Sequence, residues 1–463
     1  MTAIALLGFG GPLRYAEQSA TESWAAPRSL GAGGAARLVG TPAETLVVWP
    51  RRIGDDSHDV TASRTLEGVW SVPTEIGSVS SRYLRAVSLS ANTLGGAVAG
   101  LVETNDPANP SAVLARAPGG AWSPLDLGPV PSWARVIVGD SGAMTAVWRE
   151  DSPDQNAGRG RLKLAERAAG GVFVEAPSPF GELALALRDF SGTPAGDAML
   201  VASAETGTAT VWLRPAGGAF GSPRVLRGEF TSAGDSSMGP DGTAALVWRV
   251  RGEIRALVRA PGGDFGAPVT IPAPAPDGAV TGPLVSVGPD GTIVVAWSSL
   301  RSTGPRRRVA GTVWASVRRP GGAFGRAVVV NDRSLPASLQ KVAAGEGGVA
   351  VITWGESTGG GFVLQGARNE PRPLITRLTA PSPAGGATVR LRLAEPASVT
   401  VMLTRAAGRV LARRTLSLPA GTSRVTLAAP GTLAGGRHRI RVSARSANRS
   451  AGADVHVRAA PTP

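Results

Sequence analysis

The sequence predicts an all-β chain of two parts, seven four-stranded sheets in series followed by a small sandwich, and three observations carry that prediction. The first is composition: 62 Gly and 37 Pro punctuate 463 residues otherwise rich in Val, Leu, Ala and Thr, which suits many short strands and turns rather than long helices. The second is a phrase that recurs, as in "RAPGGDFGAPVTI" (259–271) and "RRPGGAFGRAVVV" (318–330). The third is the end of that recurrence near residue 374, beyond which short alternating segments take over.

Aligned on the aromatic after the glycines, the phrase occurs seven times, at Trp24, Trp70, Trp122, Phe173, Phe220, Phe265 and Phe324, with spacings of 45 to 59 residues. Six residues before the aromatic stands Arg64, Arg116, Arg167, Arg214, Arg259 or Arg318, with Gln18 in the first copy. A short P-G-G turn pairs the flanking strands antiparallel and sets each Arg across from its aromatic, a stacking pair that contributes about 0.5–1 kcal/mol. A second phrase lies between the copies, as in "DGTAALVW" (241–248) and "DGTIVVAW" (290–297), and ends at Trp49, Val102, Trp148, Ala202, Trp248, Trp297 and Trp354. Six residues before those ends stand Ala43, Gly96, Gly142, Gly196, Gly242, Gly291 and Gly348, the mark of a tight turn feeding a buried strand.

Each unit thus holds four strands, A to D; in the sixth these lie near "PLVSVG", "TIVVAW", "TVWASVR" and "RAVVV". Four strands in each 40 to 50 residues is the signature of propeller blades packed face to face, and the repeated Trp and Phe read as inter-blade core. The D-like "WAAPRSL" (24–30) precedes the first A strand, whereas the last A, B and C strands, ending in "GFVLQGAR" (361–368), have no D strand after them. The N-terminal strand is therefore expected to complete the last blade and remove the open sheet edges, giving a first domain over 1–373. "PLRYAEQ" (12–18) also reads as a C strand, which leaves eight C candidates for seven blades.

These features resemble the seven-bladed β-propellers common in secreted bacterial proteins, over residues 12 to about 370. The resemblance implies export to the envelope or exterior, although the opening "MTAIALLGFGGP" lacks the basic residues and A-x-A site of a complete signal peptide. It implies no particular activity. Sialidase-like propellers carry an S-x-D-x-G-x-T-W box, a nucleophilic Tyr and an arginine triad; here "GPDGTIVVAW" has the wrong spacing, and Tyr15 and Tyr83 sit in no matching context.

Residues 374–463 form the second domain of this reading, with six or seven strands such as "ATVRLRL", "SVTVMLT" and "RHRIRVSAR" in a small β-sandwich. "LAGGRHRIRVSARSANRS" resembles the end of the immunoglobulin-like or fibronectin type III modules of bacterial surface proteins, with His438 where an aromatic is usual. This segment carries 14 Arg against Glu395 and Asp454, whereas the rest of the chain holds 34 basic and 32 acidic groups, so the net charge resides in the tail. Alternation sends Val389, Leu391, Leu393, Ile440, Val442, Val455 and Val457 inward and leaves Arg390, Arg392, Arg437, Arg439, Arg441 and Arg458 on outward faces. Such faces are either plain solvated surface or a salt-sensitive seat for an anionic envelope polymer, acidic headgroups or nucleic acid. Nucleic acid is the least favoured, because no aromatic lies among these arginines to stack a base.

With no Cys there is no disulfide, thiolate metal site or thiol nucleophile, and no G-x-S-x-G, H-E-x-x-H or Walker-type motif occurs. His58, His438 and His456 are too scattered for a metal site, and no apolar run reaches the ~18 residues of a spanning helix. In a propeller the short A-to-B and C-to-D turns share one face, and the longer B-to-C and D-to-A loops form the other, where function is grafted. The B-to-C segments offer Asp55, Asp56, Asp59, Asp106, Glu150 and Asp151, either as solvated loops or as an acidic rim for Ca²⁺ or for glycoside cleavage. The D-to-A segments offer Arg82, Tyr83, Arg85, Trp133 and Arg135, with Phe180, as a platform for sugar rings, in competition with a strand-A core role. The expected function is that of a non-catalytic, exported binding protein whose loop face takes a glycan or protein while the basic sandwich holds to the envelope. No cofactor is expected beyond Ca²⁺ at the acidic rim. The alternative is a propeller glycoside hydrolase or lyase, sialidase-like in using carboxylates on that face.

Overall fold

The structure, a computed structural model, describes the chain outside residues 1–2, 8–11, 19–27, 33–35, 42–43, 54–55, 66–69, 80–85, 103–111, 119, 126–131, 152–159, 181–185, 204–206, 231–233, 274–278, 281, 304–307, 332–336, 346–347, 358–361, 370–374, 380–385, 394–395, 406–409, 420, 429–435, 446–449 and 460–463. It is all-β. Among the described residues there is no α-helix, and none long and apolar enough to cross a membrane. The chain divides into two compact units, Met1–Arg368 and Asn369–Pro463.

The first unit opens with a sheet of order β1–β2–β3 (Ala3–Leu7, Pro12–Gln18, Arg28–Ala32). Four-stranded meanders follow: β4–β5–β6–β7 (Arg37–Gly40, Glu44–Ile53, Asp56–Thr65, Thr74–Val79) and β8–β9–β10–β11 (Ala86–Ala91, Ala97–Val102, Ala112–Arg116, Trp122–Leu125). The next are β12–β13–β14–β15 (Ser132–Val138, Met144–Asp151, Gly160–Arg167, Val174–Ala176) and β16–β17–β18–β19 (Ala186–Gly192, Ala198–Ser203, Gly207–Arg214, Arg224–Phe230). Then comes β20–β21–β22–β23 (Asp235–Met238, Ala244–Val250, Glu253–Arg259, Val269–Thr270). In the following sheet β24 (Ala279–Val280) and β25 (Leu284–Val287) both pair β26 (Ile293–Thr303), which continues to β27 (Arg308–Arg318) and β28 (Val328–Val329). The last is β29–β30–β31 (Ala337–Ala344, Ala350–Ser357, Phe362–Asn369).

From β4 onward the first strand of each sheet neighbours the first strand of the next, in the order β4, β8, β12, β16, β20, β25, β29. These inner strands bring consecutive sheets together, and each interface buries one apolar core. Leu46 and Val48 meet Ala97 and Leu114; Val113 and Ala115 meet Val136 and Trp148; Met199 and Val201 meet Leu246 and Trp248; Val294 and Val313 meet Ile352 and Trp354. Of the repeated aromatics, Trp49, Trp148, Trp248, Trp297, Trp354, Phe265 and Phe324 are buried core, whereas Trp70, Trp122, Phe173 and Phe220 are half-buried and Trp24 lies outside the described residues.

The turns obey the repeat. After each inner strand one backbone N–H closes the A-to-B turn: Thr41 to Glu44, Asn92 to Gly96, Gly139 to Ala143, Thr193 to Asp197, Gly239 to Thr243, Gly288 to Thr292 and Gly345 to Val349. Gly142, Gly196, Gly242, Gly291 and Gly348 take the positive φ these turns need, and in the second sheet Gly95 takes it instead of the expected Gly96. Arg116 lies opposite Trp122, Arg259 opposite Phe265 and Arg318 opposite Phe324, and the Arg116 and Arg214 guanidinium carbons sit 5.6 and 5.4 Å from the Trp122 and Phe220 ring centres. The same side chains reach the other turn of their own sheet. Arg116, Arg214 and Arg259 donate to the carbonyls of Gly95, Gly196 and Gly242, at 3.2, 3.5 and 2.8 Å. The recurring Arg is therefore a staple between the two turns as well as a stacking partner.

Close sheet-to-sheet approach makes one glycine indispensable. A Cβ at Gly311 on β27 would stand 2.2 Å from the Ala337 carbonyl oxygen and 2.5 Å from the Ala337 nitrogen, backbone atoms of β29. Gly311→Ala is expected to cost about 1–3 kcal/mol through overpacking. An unchanged thermal midpoint by circular dichroism would show that β27 and β29 do not meet this closely.

Two expectations give way. Arg28–Ala32, which overlaps the segment expected to complete the last sheet, pairs instead with Pro12–Gln18, whose other edge is taken by β1. A partner a few residues away closes a short loop, which costs less entropy than reaching across the whole first unit, and the β29 sheet ends at β31 among the described residues. Residues 24–27 of that segment lie outside the described residues. The segment 51–60, expected as a loop, lies instead largely on two paired strands, with Arg51 opposite His58 and Ile53 opposite Asp56.

The second unit holds two sheets, β32–β33–β36 (Ile375–Thr379, Gly386–Leu393, Gly421–Ala428) and β35–β34–β37–β38 (Val410–Leu418, Ala397–Arg405, Gly436–Arg445, Ser450–Ala459). They share one core, in which Val389, Leu391, Leu393, Val425 and Leu427 of the first meet Val399, Val401, Leu403, Ile440 and Val442 of the second. His438 is buried as well.

Candidate functional site

The turn hydrogen bonds fix a common register, and four residues before each donor the inner strands carry Arg37, Ser88, Arg135, Asp189, Asp235, Leu284 and Lys341. Five of these seven positions are ionisable, in a chain that is 18% charged. In β12, β16 and β29 the register shifts just before Arg135, Asp189 and Lys341. A bulge of this kind re-aims the side chain that follows it.

An inner strand presents one unpaired edge, whose N–H groups need acceptors. Serines two residues before the turn donor supply them across the gap between sheets: Val138 donates to Ser90 Oγ at 3.4 Å, Val287 to Ser237 Oγ at 3.1 Å and Ala344 to Ser286 Oγ at 3.0 Å. Asp235 works the same way, its Oδ2 accepting the Val285 N–H at 2.8 Å. Asp189 Oδ2 accepts the Ser236 hydroxyl at 2.5 Å. In the fourth sheet the equivalent hydroxyl, Ser191, has no partner among the described residues.

These charges act on one another across the sheets. Burial pushes both carboxyls up, and repulsion from Asp189 helps bring Asp235 up to about 7. Burial and then the Arg37 charge hold the Lys341 ammonium below its ordinary value, and burial with the Arg135 charge lowers Arg37. Lys341 is exposed, and Arg37, Arg135, Asp189 and Asp235 are half-buried. No carboxylate of the described residues lies within ion-pair distance of Arg37, Arg135 or Lys341.

Of the residues singled out in the sequence, Arg135 alone belongs to this ring. Glu150 is exposed and sits 3.7 Å from the Lys163 ammonium, which Glu175 holds at 2.8 Å; a surface pair of this kind contributes little. Asp56 and Asp59 lie on β6, Asp151 on β13 and Trp133 on β12, with their side chains outside the described residues, where Asp55, Arg82, Tyr83, Arg85 and Asp106 lie entirely. Phe180 is buried core rather than platform, edge-on to Trp212 at 5.2 Å and to Phe220 at 5.4 Å. Among the described residues no group of three or more His, Asp or Glu is placed to hold a metal ion.

The basic positions of the second unit fall on two different sheets. Arg390 on β33 is exposed directly opposite the exposed Arg424 on β36, a like-charge pair. On β37 Arg441 is exposed, in register with Asp454, and Arg439 is half-buried; Arg392, Arg437 and Arg458 occupy strand positions with side chains outside the described residues.

The ring escapes the sequence for two reasons. The first A-to-B turn closes over three residues and the others over four, which shifts any alignment by one, and the bulges break the period of two. Its sequence signal is a charge on strand A, four residues before the turn, in copies one, three, four, five and seven.

No protein-family model matches the chain, and neither does any curated protein. Solved structures do resemble it. A protein of unknown function from Dyadobacter fermentans is 16% identical at TM-score 0.40, over 61% of this chain and 94% of that one. The polysaccharide lyase Uly1 is 10% identical at TM-score 0.41, over 72% and 88%. PorZ, a surface component of the type-IX secretion system of Porphyromonas gingivalis, is 13% identical at TM-score 0.34, over 98% and 75%. At these values the likeness is one of all-β architecture alone.

Proposed function

We propose that the chain is an exported, non-catalytic binding scaffold. Its first unit is a closed seven-bladed β-propeller that takes a glycan or protein ligand at the mouth of its channel. Its second is a fibronectin type III-like module whose arginines associate with an anionic envelope polymer. The observation that carries the reading is the set of five ionisable side chains at one register position of the inner strands. The three bases among them, Arg37, Arg135 and Lys341, have no carboxylate within ion-pair distance among the described residues, which a ligand accounts for. Closure is supported by the Arg37 charge, which after burial is what lowers Lys341, as two groups facing one channel would act on each other. The three-on-four strand arrangement of the second unit supports the module assignment.

The test is a glycan and protein array probed with the full chain at low and at physiological salt. The expected result is a saturable, salt-resistant signal from the first unit and a salt-sensitive signal on anionic polymers that falls when Arg390, Arg424 and Arg441 are replaced by Gln. No salt-resistant ligand of either kind would overturn the reading.

One observation favours a catalytic form of the same site. Asp235, pushed up to about 7 beside Asp189, is suited to transfer a proton at neutral pH, as a glycoside hydrolase or lyase requires. Turnover of the bound glycan, abolished in Asp235→Asn, would establish it.

A further inference from the structure

We propose that the ring binds an anionic sugar residue, its charged group held by Lys341, Arg37 and Arg135 and its hydroxyls turned toward Asp189 and Asp235. This rests on the reading of the ring as a ligand site and names the ligand it takes. The two acids have structural work to do: Asp235 accepts the Val285 N–H and Asp189 accepts the Ser236 hydroxyl, each joining one sheet to the next. The three bases stand at the same register position and cannot accept a hydrogen bond. They serve no such edge. Arg37 Nη1 donates to the carbonyl of its own neighbour Ala36 at 3.3 Å; besides burial, the Arg135 charge lowers Arg37, and the Arg37 and Arg135 charges lower Lys341.

The ring is thus divided. In strand order Lys341, Arg37 and Arg135 fall on the seventh, first and third sheets, whereas Asp189 and Asp235 follow on the fourth and fifth and both favour the Lys341 charge. An anion placed among the bases relieves their repulsion and supplies the partner they lack. A simple anion would leave the acidic side unused. A hydroxylated one would donate to the half-buried carboxylates of Asp189 and Asp235. No aromatic occupies a ring position, so recognition runs through charge and hydroxyls rather than through stacking on a flat sugar face.

The experiment is calorimetry on the full chain at physiological salt, with oligogalacturonate as the carboxylate probe, sulfated carrageenan oligosaccharides as the sulfate probe, cello-oligosaccharides as the neutral probe and inorganic sulfate as the bare anion. One of the two anionic sugars should bind, and Arg37→Gln and Lys341→Gln should each weaken it about tenfold or more. Removing the Arg37 charge, which disfavours that of Lys341, should leave the thermal midpoint equal or higher, which a purely structural base would not do. Arg390→Gln with Arg424→Gln should leave this affinity unchanged. Equal affinity for the neutral probe, inorganic sulfate binding as tightly as the sugars, or ring variants that bind like wild type would each overturn the inference. A neutral glycan or a protein bound in place of an anionic sugar would overturn it while leaving the scaffold reading intact, whereas no ligand at all would overturn both.

Discussion

Trp248→Ala is expected to cost the first unit about 3–5 kcal/mol, the range for a large buried aromatic whose cavity cannot fully collapse. Trp248 lies on β21, wholly buried among Met199, Leu246, Leu257 and Phe265 at the interface between two sheets. The repeat itself shows that the cost comes from the space and not from the residue type. At the same position the fourth sheet has Ala202, equally buried, because Phe180 and Trp212 pack edge to face beside it and fill the volume. Truncation at Trp248 leaves a void walled by rigid strands. Denaturant unfolding of the full chain should show the transition of the first unit moving to lower denaturant while that of the second stays put. A loss under about 1 kcal/mol would mean that the interface relaxes around the missing ring, and that the sheets are held by their turns more than by their cores.

That contrast also shows which parts of the fold a sequence exposes. Arg259 and Phe265 announce their pairing because a strand, a P-G-G turn and a strand leave little choice of register, and Gly242 announces its turn because only glycine adopts that φ cheaply. These are local decisions. The partner of Arg28–Ala32 is a competition between a near strand and a distant sheet, which composition cannot settle, and the structure places it on β2. The paired segment around Ile53 and Asp56 looked like a loop because it is charged, yet its Gly54–Asp55 dipeptide is a two-residue turn signal of the ordinary kind.

The site was less legible than the fold. Carboxylates in loops attract attention as candidate chemistry, whereas a charge on strand A passes for an edge residue until the sheets are set side by side. Asp189 and Asp235 are 46 residues apart and acquire meaning only through Ser236 and Val285, which bridge one sheet to the next. Arg135 was found for its neighbours Tyr83 and Trp133, and it belongs instead with Asp189, whose carboxyl its charge favours.

Asp235→Asn is expected to raise the thermal midpoint at pH 8 and to leave it nearly unchanged at pH 4. The folded carboxyl is pushed up to about 7 by burial and by Asp189, with Lys341 and the Val285 and Ser236 N–H bonds opposing, whereas in the unfolded chain it returns to the ordinary value near 4. Between those limits the folded state binds more protons than the unfolded one. Stability therefore falls as pH rises through that window and levels off above it. Each unit of separation is worth about 1.4 kcal/mol, so the penalty reaches a few kcal/mol and the midpoints should differ by several degrees at high pH. Asparagine keeps an oxygen for the Val285 N–H and so removes the charge without removing the link between the fifth and sixth sheets. The two melting curves, followed from pH 4 to pH 9, should coincide at the acid end, separate toward pH 7 and then run parallel. Curves parallel throughout would mean that Asp235 keeps an ordinary carboxylate, open to water and independent of Asp189, and that the two acids act separately in whatever the ring binds.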